Sequence, residues 1–247
     1  MDSTNRYAAD AARRGEPEGL VVVADHQVSG RGRRGRSWQA PPGGALLCTL
    51  LFRPRLALGD LHVLGPVVGL AALDAVRAAG VSSVSLKWPN DLVVEDRKLA
   101  GVLAEIVELP SPTASAAVVV GIGVNLSWPS GWVEDMVSDD GSSLATLATT
   151  VEEATGTAPR RDELLGSFLS RVEERYATLE RGGIAALMAD YRLECSTLGR
   201  LVEVTTEASK LVGRATGVAD DGRLQVIAGP RTLLVDAADV VHLRNAP

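Results

Sequence analysis

The segment with the clearest chemical capacity covers residues 30–36, which read Gly-Arg-Gly-Arg-Arg-Gly-Arg, with Trp38 two residues later. Each guanidinium can hold two oxygens of a phosphate or carboxylate at once. The glycines allow positive φ and a close approach of the backbone to a ligand. Without a ligand the arginines repel one another, so we expect a mobile loop that orders on an anion.

Two other interpretations of this segment can be weighed from the sequence. Gly30, Gly32 and Gly35 have the spacing of a dinucleotide-binding fingerprint, which also needs a helix at the third glycine and an acid about 20 residues later. The Pro-Pro-Gly-Gly run at 41–44 prevents that helix, so we exclude this interpretation. A loop that docks on RNA phosphates stays open. The net charge of −6 favours a small anion instead, because the positive charge is local.

Lysine is rare in this chain, since only Lys87, Lys98 and Lys210 among the 25 basic residues are lysine. Two of them fall in adjacent motifs, Lys-Trp-Pro-Asn-Asp-Leu at 87–92 and Arg-Lys-Leu-Ala-Gly at 97–101. One explanation of this placement is chance. The other is that both positions need the slim ammonium and flexible stem of lysine, which the guanidinium of arginine cannot imitate.

Further polar and glycine positions stand at the ends of predicted elements. They are Ser3, Thr4 and Asn5 at the head of a helix, Gln27 after a strand, Asn90 and Asp91 in a turn, Gly101 in a hairpin, and Gly121, Gly123 and Asn125 at the end of a strand. Each has a plain structural explanation as well: a helix N-cap for Ser3, a turn for Asn90 and Asp91, bulges for the glycines. Trp38 could likewise be a core anchor.

Apolar runs and turn signals predict an α+β fold in two domains. Residues 1–195 are predicted to form a mixed β-sheet catalytic domain with flanking helices, mainly on one face. Short strands separated by turn signals predict a small β-barrel over residues 196–247. A chain of 247 residues is long enough for one large and one small domain. All the candidate functional residues lie in the first domain.

The composition indicates a globular protein of the cytoplasm. Apolar residues make up 46% of the chain, yet no run reaches the roughly 18 apolar residues of a membrane span. An acid at position 2 and the lack of a following apolar run argue against a signal peptide. Cys48 and Cys195 have no spaced His or Cys partners, so we predict buried, reduced thiols and no protein metal site.

The motifs between residues 3 and 125, taken in this order, closely resemble those of the biotin protein ligases, which share a superfamily with the lipoate ligases. The C-terminal strands resemble the SH3-like domain of that family. The resemblance implies ATP-dependent activation of biotin to biotinyl-AMP and transfer of biotin to a lysine of the biotin carboxyl carrier domain of a carboxylase. Biotin and ATP would be the substrates, and Mg²⁺ would accompany ATP.

The resemblance also implies roles for the matching residues. Arg33 and Lys98 would stabilise the acyl phosphate, and Asp91 would deprotonate the acceptor lysine or orient Lys98. The implied biotin-binding residues are Ser3, Thr4, Asn5, Gln27, Gly30, Arg31, Gly32, Arg33, Lys98, Gly101, Gly121 and Gly123. The implied ATP-binding residues are Arg31, Arg33, Arg36, Trp38, Lys87, Asn90 and Asn125.

Two alternatives remain beside the biotin ligase hypothesis: lipoate or octanoate transfer on the same fold, and a non-catalytic sensor of biotin or a nucleotide. The sequence of residues 30–36, hereafter the Arg/Gly loop, favours biotin. Only Met1 and Asp2 precede the Ser-Thr-Asn motif, which leaves open a start further upstream. No helix-turn-helix domain precedes it, so we expect no binding to DNA. We also expect no membrane association, and a monomer or weak homodimer.

Overall fold

A six-stranded sheet organises the N-terminal part of the protein. The computed structural model describes residues 1–108, 116–134, 136–137, 141–205, 210–236 and 239–243. The strands of the first sheet are β1 (Val21–Ala24), β2 (Ala45–Phe52), β3 (Ser85–Lys87), β4 (Asp91–Val94), β5 (Arg97–Val107) and β6 (Ala117–Asn125). Their spatial order is β1-β2-β6-β5-β4-β3. The strands pair antiparallel, and β3 and β5 add isolated parallel bridges, from Leu86 to Cys195 and from Lys98 to Ala148.

Helices cover both faces of this sheet, with most of the helical mass on one side. The helices are α1 (Thr4–Arg13), α2 (Leu64–Ala78), α3 (Leu144–Leu147), α4 (Val151–Thr155) and α5 (Arg161–Glu194). Helix α2 packs on the sheet and against α5, whereas α1 lies on the opposite face. Helix α5 breaks at Gly183, whose φ of 72° is a conformation that glycine adopts readily.

The two central strands, β2 and β6, are buried along their whole length. Such burial on both faces explains why their sequences are nearly continuous apolar runs. Side chains alternate along β6, so that Val120 and Ile122 belong to the large core under α2 and α5, while Val119 packs in a smaller cluster with Ala8 of α1. The glycines of β6 therefore lie on the α1 face, where the candidate site is found.

A five-stranded antiparallel sheet forms the C-terminal part. Its strands are β7 (Leu201–Thr205), β8 (Lys210–Val218), β9 (Leu224–Ala228), β10 (Arg231–Val235) and β11 (Asp239–His242), in the order β10-β9-β8-β7-β11. Trp88 joins this sheet to the first one, because its indole Nε1 donates a 2.8 Å hydrogen bond to the carbonyl of Gly222. The predicted α+β architecture with an SH3-like C-terminal domain is confirmed.

One helical stretch, residues 58–78, is long and apolar enough to cross a bilayer by length and composition alone. In this fold it is mainly buried and contributes Leu64, Leu70 and Leu73 to the core between the sheet and α5. A core helix of this kind meets the same criteria as a membrane span.

Candidate functional site

The floor of the candidate site is a patch of β5 and β6 without bulky side chains. Gly101 pairs with Gly123, and Leu103 pairs with Gly121, so these four residues share the α1 face. A β-carbon at Gly123 would lie 2.5 Å from Cε2 of Trp38. A β-carbon at Gly101 would lie 3.0 Å from Cε of Lys98 and 3.2 Å from the Trp38 ring. Glycine is needed at positions 101 and 123 because the side chains of Trp38 and Lys98 lie against the sheet there.

A chain of polar side chains at the head of α1 forms one wall of the site. Oε1 of Gln27 accepts hydrogen bonds from the backbone N of Thr4 at 2.7 Å and from its hydroxyl at 2.9 Å. The buried hydroxyl of Thr49 lies 2.8 Å from Oγ1 of Thr4 and 2.7 Å from Oδ1 of Asn5. The hydroxyl groups of Thr4 and Thr49 provide two protons for three oxygen–oxygen contacts. One of these contacts therefore lacks a hydrogen-bond donor. Ser3 stands at the N-cap position, is 3% exposed, and makes no capping hydrogen bond through its side chain.

The Arg/Gly loop is folded against the site in this structure. Residues 31 and 37 form an isolated antiparallel bridge, and the N–H of Gly32 donates to the carbonyl of Arg36 at 2.7 Å. The guanidinium of Arg31 lies 3.1 Å from Oε1 of Glu105. The other oxygen of Glu105 accepts a 2.8 Å hydrogen bond from Nδ2 of Asn5. Glu105 therefore connects the loop to the polar wall.

Trp38 is the largest side chain over the glycine floor. Its indole contacts Gly123 and Gly101, and Nζ of Lys98 lies 5.6 Å from the ring centroid, within cation–π range. The buried indole Nε1 finds no hydrogen-bond partner in the described part of the chain. A buried donor without a partner is costly, and a ligand acceptor would satisfy it.

An ion pair of Lys98 and Asp91 lies beside the indole. Nζ of Lys98 is 2.7 Å from Oδ1 of Asp91, with the side chains 38% and 23% exposed. That oxygen is buried and has no well-aligned hydrogen bond from the described residues, so the contact is chiefly electrostatic. Lys87 pairs with Asp91 across β3 and β4. Burial lowers the pKa of Lys87, and the nearby carboxylate of Asp91 opposes that shift.

Arg33 and Asn90 line the same cavity as Asp91. A guanidinium nitrogen of Arg33 donates to Oδ1 of Asn90 at 3.4 Å, and Nδ2 of Asn90 donates to the carbonyl of Val102 at 2.7 Å. Both residues line a cavity of about 250 Å³ between the two sheets, hereafter the interdomain cavity. Tyr191 also lines it, and burial raises the pKa of its hydroxyl well above the usual value.

Most of the sequence-predicted residues thus gather around two neighbouring spaces. A narrow pocket of about 30 Å³, hereafter the α1 pocket, is lined by Ser3, Thr4, Asn5, Gln27, Arg31, Trp38, Leu47, Gly101, Leu103, Gly121, Ile122 and Gly123. Nine of these twelve were predicted for the site. Lys98 and Asp91 stand between this pocket and the interdomain cavity, and Leu103 lines both spaces.

Six predicted residues line neither space: Gly30, Gly32, Arg36, Lys87, Lys98 and Asn125. Arg36 is exposed in the loop, and its carbonyl holds the N–H of Gly32. Asn125 is buried, and its amide donates to the carbonyls of Thr149 at 3.0 Å and Lys98 at 3.3 Å. In this structure Asn125 therefore fixes the backbone that carries Lys98.

The sequence analysis missed Thr49 and Glu105 as members of the site. Thr49 is the one polar residue in the apolar strand from Ala45 to Phe52, and it is fully buried. A lone hydroxyl in such a run must find partners inside the protein, which is a usable signal. Glu105 lies 100 residues from its partner Asn5, so no local pattern indicates their contact.

Among residues 1–108, 116–134, 136–137, 141–205, 210–236 and 239–243, no cluster of three or more His, Cys, Asp or Glu side chains could hold a metal ion. Asp91 is the carboxylate nearest the candidate catalytic groups, and it is already paired with Lys98.

The sequence matches two known domain families. The pattern of the Biotin/lipoate A/B protein ligase family matches residues 1–125, and that of the Biotin protein ligase C terminal domain matches residues 197–243. A biotin–[acetyl-CoA-carboxylase] ligase of Mycobacterium tuberculosis is 36% identical over 251 residues, covering 98% of this chain and 86% of that protein. The Paracoccus denitrificans protein of the same name is 32% identical over 242 residues, covering 97% and 96%.

A solved structure gives the same result. Biotin protein ligase from Aquifex aeolicus in complex with biotin and ATP superposes with a TM-score of 0.80 at 26% identity, covering 98% of this chain and 96% of that one. The chain therefore belongs to the biotin/lipoate A/B protein ligase family. Its similarity to the biotin protein ligases of that family extends through the C-terminal domain.

Proposed function

We propose that this protein activates biotin with ATP to give biotinyl-AMP and pyrophosphate, and then transfers biotin to a lysine of a biotin carboxyl carrier domain. The single observation that carries the proposal is the α1 pocket, which joins a neutral polar wall to the Lys98–Asp91 pair beside an arginine loop. Such a pocket suits a ligand with a neutral polar head and an anionic tail. Family membership over the whole chain supports the same function.

The polar wall fits the ureido head of biotin, which offers two N–H donors and one carbonyl. We propose that Ser3, Thr4, Asn5 and Gln27 bind this head, because their network lacks one donor and an N–H of the ligand would supply it. Gly101, Gly121 and Gly123 leave room for the bicycle and the acyl chain close to the sheet. The loop residues Gly30, Arg31 and Gly32 close the pocket from above.

The α1 pocket must widen before biotin can enter. A pocket of about 30 Å³ has room for little more than ordered water. Trp38 is the bulky group over the glycines, so we propose that biotin displaces the indole and that the displaced ring packs on adenine. This displacement would require the mobility that we predict for the Arg/Gly loop.

The first chemical step joins two anions, so it requires fixed positive charge. The biotin carboxylate oxygen attacks the α-phosphorus of ATP, the new C–O–P linkage forms, and pyrophosphate leaves. We propose that Lys98, Arg31 and Arg33 stabilise the charge that develops on the phosphoryl oxygens. Asp91 holds the ammonium of Lys98 in place through their 2.7 Å contact.

The remaining nucleotide contacts are proposals from the family motifs. We propose that Arg36, Lys87 and Asn90 meet the phosphates, and that Asn125 acts through the carbonyls that it fixes near Lys98. We propose that Mg²⁺ arrives with the ATP phosphates.

Organisation and location are further parts of the proposal. We propose a division between residues 195 and 196, supported by the end of α5 at Glu194 and by the start of β7 at Leu201. We also propose that the protein works in the cytoplasm as a monomer or weak homodimer, without DNA or membrane partners.

A direct assay tests the function. The protein is mixed with biotin and ATP·Mg²⁺, with pyrophosphate release and a mass shift on a purified carrier domain as the readouts. Both products are expected. Products with lipoate or octanoate in place of biotin would replace the proposal by its nearest alternative. Binding of biotin without either product would instead indicate a sensor.

Thr49→Val is expected to weaken biotin binding about tenfold, because it removes one of the two hydroxyl protons of the polar wall at nearly constant volume. The free energy of unfolding should fall by about 1–2 kcal/mol. Calorimetric titration with biotin and urea unfolding measure the two effects. Thr178→Val, at a half-buried helix position far along α5, is the matched control. Unchanged biotin affinity in Thr49→Val would remove Thr49 from the site.

Arg33→Ala is expected to let the biotinyl-AMP escape, so that lysines of bystander proteins become labelled. Arg33 belongs to the loop that closes the site, and the variant removes one of its charges. Mass spectrometry of serum albumin incubated with the variant, biotin and ATP measures the labelling. Arg171→Ala removes an exposed arginine from α5 and serves as control. If the albumin carries no biotin label after incubation with Arg33→Ala, the assigned role is contradicted.

A further inference from the structure

Glu105 is a charged side chain beside the α1 pocket, and none of the roles assigned above uses it. It follows Gly101 and Leu103 along β5 at two-residue spacing, so the three residues share the α1 face of the sheet. Its side chain is 28% exposed and contacts two residues of the site. Oε2 accepts a 2.8 Å hydrogen bond from Nδ2 of Asn5, and Oε1 lies 3.1 Å from Nη1 of Arg31. One carboxylate thereby joins the head of α1 to the Arg/Gly loop.

The first contact determines which way the amide of Asn5 faces. Nδ2 of Asn5 has two hydrogens, and its partners are Oε2 of Glu105 at 2.8 Å and the carbonyl of Leu103 at 3.2 Å. A carboxylate and a carbonyl can only accept hydrogen bonds, so the amide nitrogen must face them. Oδ1 of Asn5 is then turned toward the hydroxyl of Thr49, 2.7 Å away.

This orientation sets the kind of ligand group that the polar wall accepts. Both hydrogens of the Asn5 amide are used within the protein, so Asn5 offers the α1 pocket an oxygen and no N–H. Oδ1 has a second lone pair beside the one that faces Thr49, and a ligand N–H can donate to it. An amide turned the other way would present its NH₂ group and repel a ligand N–H.

The second contact fastens the Arg/Gly loop. Arg31 and Glu105 are 49% and 28% exposed, and an ion pair this exposed contributes little to the overall stability. Its importance lies in where it holds the chain. Residues 31 and 37 form a bridge, and the N–H of Trp38 donates to the carbonyl of Gly30 at 3.0 Å. A fixed Arg31 therefore also restricts the position of Trp38 above the glycine floor.

We propose that Glu105 is a positioning residue that couples recognition of the biotin head to closure of the Arg/Gly loop. The inference rests on the proposed function. A ligand N–H that binds Oδ1 of Asn5 restricts the amide, the amide restricts the carboxylate of Glu105, and the carboxylate holds Arg31. The loop is therefore held more firmly over an occupied pocket than over an empty one. By linkage, loop closure strengthens binding of the head by the same factor.

Glu105→Gln tests the orientation of the Asn5 amide. The variant keeps the shape of the side chain, but its own NH₂ group can turn toward Asn5, so the Asn5 amide is no longer held in one direction. The Kd for biotin, titrated without ATP, should rise about tenfold. Glu203→Gln is the matched control, because Glu203 also lies on a strand, is 32% exposed and pairs with one cation, Lys210. Urea unfolding of both variants checks the fold.

Limited digestion with trypsin tests the hold on the loop, since trypsin cleaves after arginine and the loop has four arginines. Each protein is digested at saturating biotin, so that weaker binding does not contribute. Cleavage after Arg33, Arg34 and Arg36 should be about threefold to fivefold faster in Glu105→Gln than in the wild type. Arg31→Gln breaks the same ion pair from the other side and should have a similar effect. The double variant should be cleaved no faster than either single variant, because both substitutions act through one contact.

Several outcomes would overturn the inference. One is a biotin affinity of Glu105→Gln equal to that of Glu203→Gln. Others are unchanged digestion of the loop in folded Glu105→Gln, and effects that add fully in the double variant, since Glu105 would then not act through Arg31. If Glu105→Gln does not fold, unchanged digestion of Arg31→Gln at saturating biotin would have the same meaning. Wild-type protein that binds no biotin would instead overturn the proposed function, and digestion without biotin still tests the contact between Glu105 and Arg31.

Discussion

Lys98→Ala is expected to lower the rate of pyrophosphate release about 10²- to 10³-fold, the range observed when one preorganised donor to a developing anion is removed. The ammonium has a defined position between Asp91 and the Trp38 ring, so its charge is preorganised. Loss of the cation would also leave the partly buried carboxylate of Asp91 beside the phosphates, which adds repulsion. The measurement is a burst of pyrophosphate with saturating biotin and ATP.

Two companion variants separate charge from geometry at this position. Lys98→Arg keeps the charge but is expected to remain impaired, because the lysine stem packs where a β-carbon on Gly101 would be 3.0 Å away and a planar guanidinium does not fit. Lys210→Ala removes an exposed lysine paired with Glu203 and should be fully active. A normal burst in Lys98→Ala would show that the phosphoryl charge is stabilised elsewhere.

Gly121→Ala is expected to weaken biotin binding about 100-fold, at the upper end of the roughly 1–3 kcal/mol that overpacking costs. A β-carbon at this position would overlap Oδ1 of Asn5 and lie 3.1 Å from Oγ1 of Thr49. Asn5 would have to leave Thr49 and Glu105, and the polar wall would come apart. Isothermal titration with biotin, without ATP, measures the loss.

A matched glycine substitution shows whether this effect is local. Gly166→Ala lies in α5 with no atom within 4 Å of the new β-carbon, so it should bind biotin normally and gain about 0.5–1 kcal/mol of stability through helix propensity. If Gly121→Ala bound biotin as tightly as Gly166→Ala, the contact between β6 and Asn5 would have no part in ligand binding.

Much of the site could be predicted because its parts are encoded by local signals. Gly121 and Gly123 are two residues apart on a strand, so alternation alone places them on one face. The turn at Asn90 and Asp91 and the hairpin that returns through Lys98 are likewise marked by short-range patterns. These signals, in their order, predicted which residues would converge.

The register of the strands and the closure of the loop could not be predicted in this way. Glu105 meets both Asn5 and Arg31 only because β5 and β6 pair in one register and the loop folds over them. A shift of one residue would turn every glycine of the floor to the other face. The placement of Trp38 on Gly123 depends on the same long-range packing.

The sequence by itself determined the two-domain architecture, the cationic loop and most residues of the α1 pocket, since these depend on periodicity, turn chemistry and residue type. The tertiary structure alone decided that Thr49 connects the polar wall, that Lys98 is held by Asp91, and that a cavity opens between the two sheets. The physical reason is that cavities and buried networks arise from how whole elements pack, and the residues that form them are far apart in the chain.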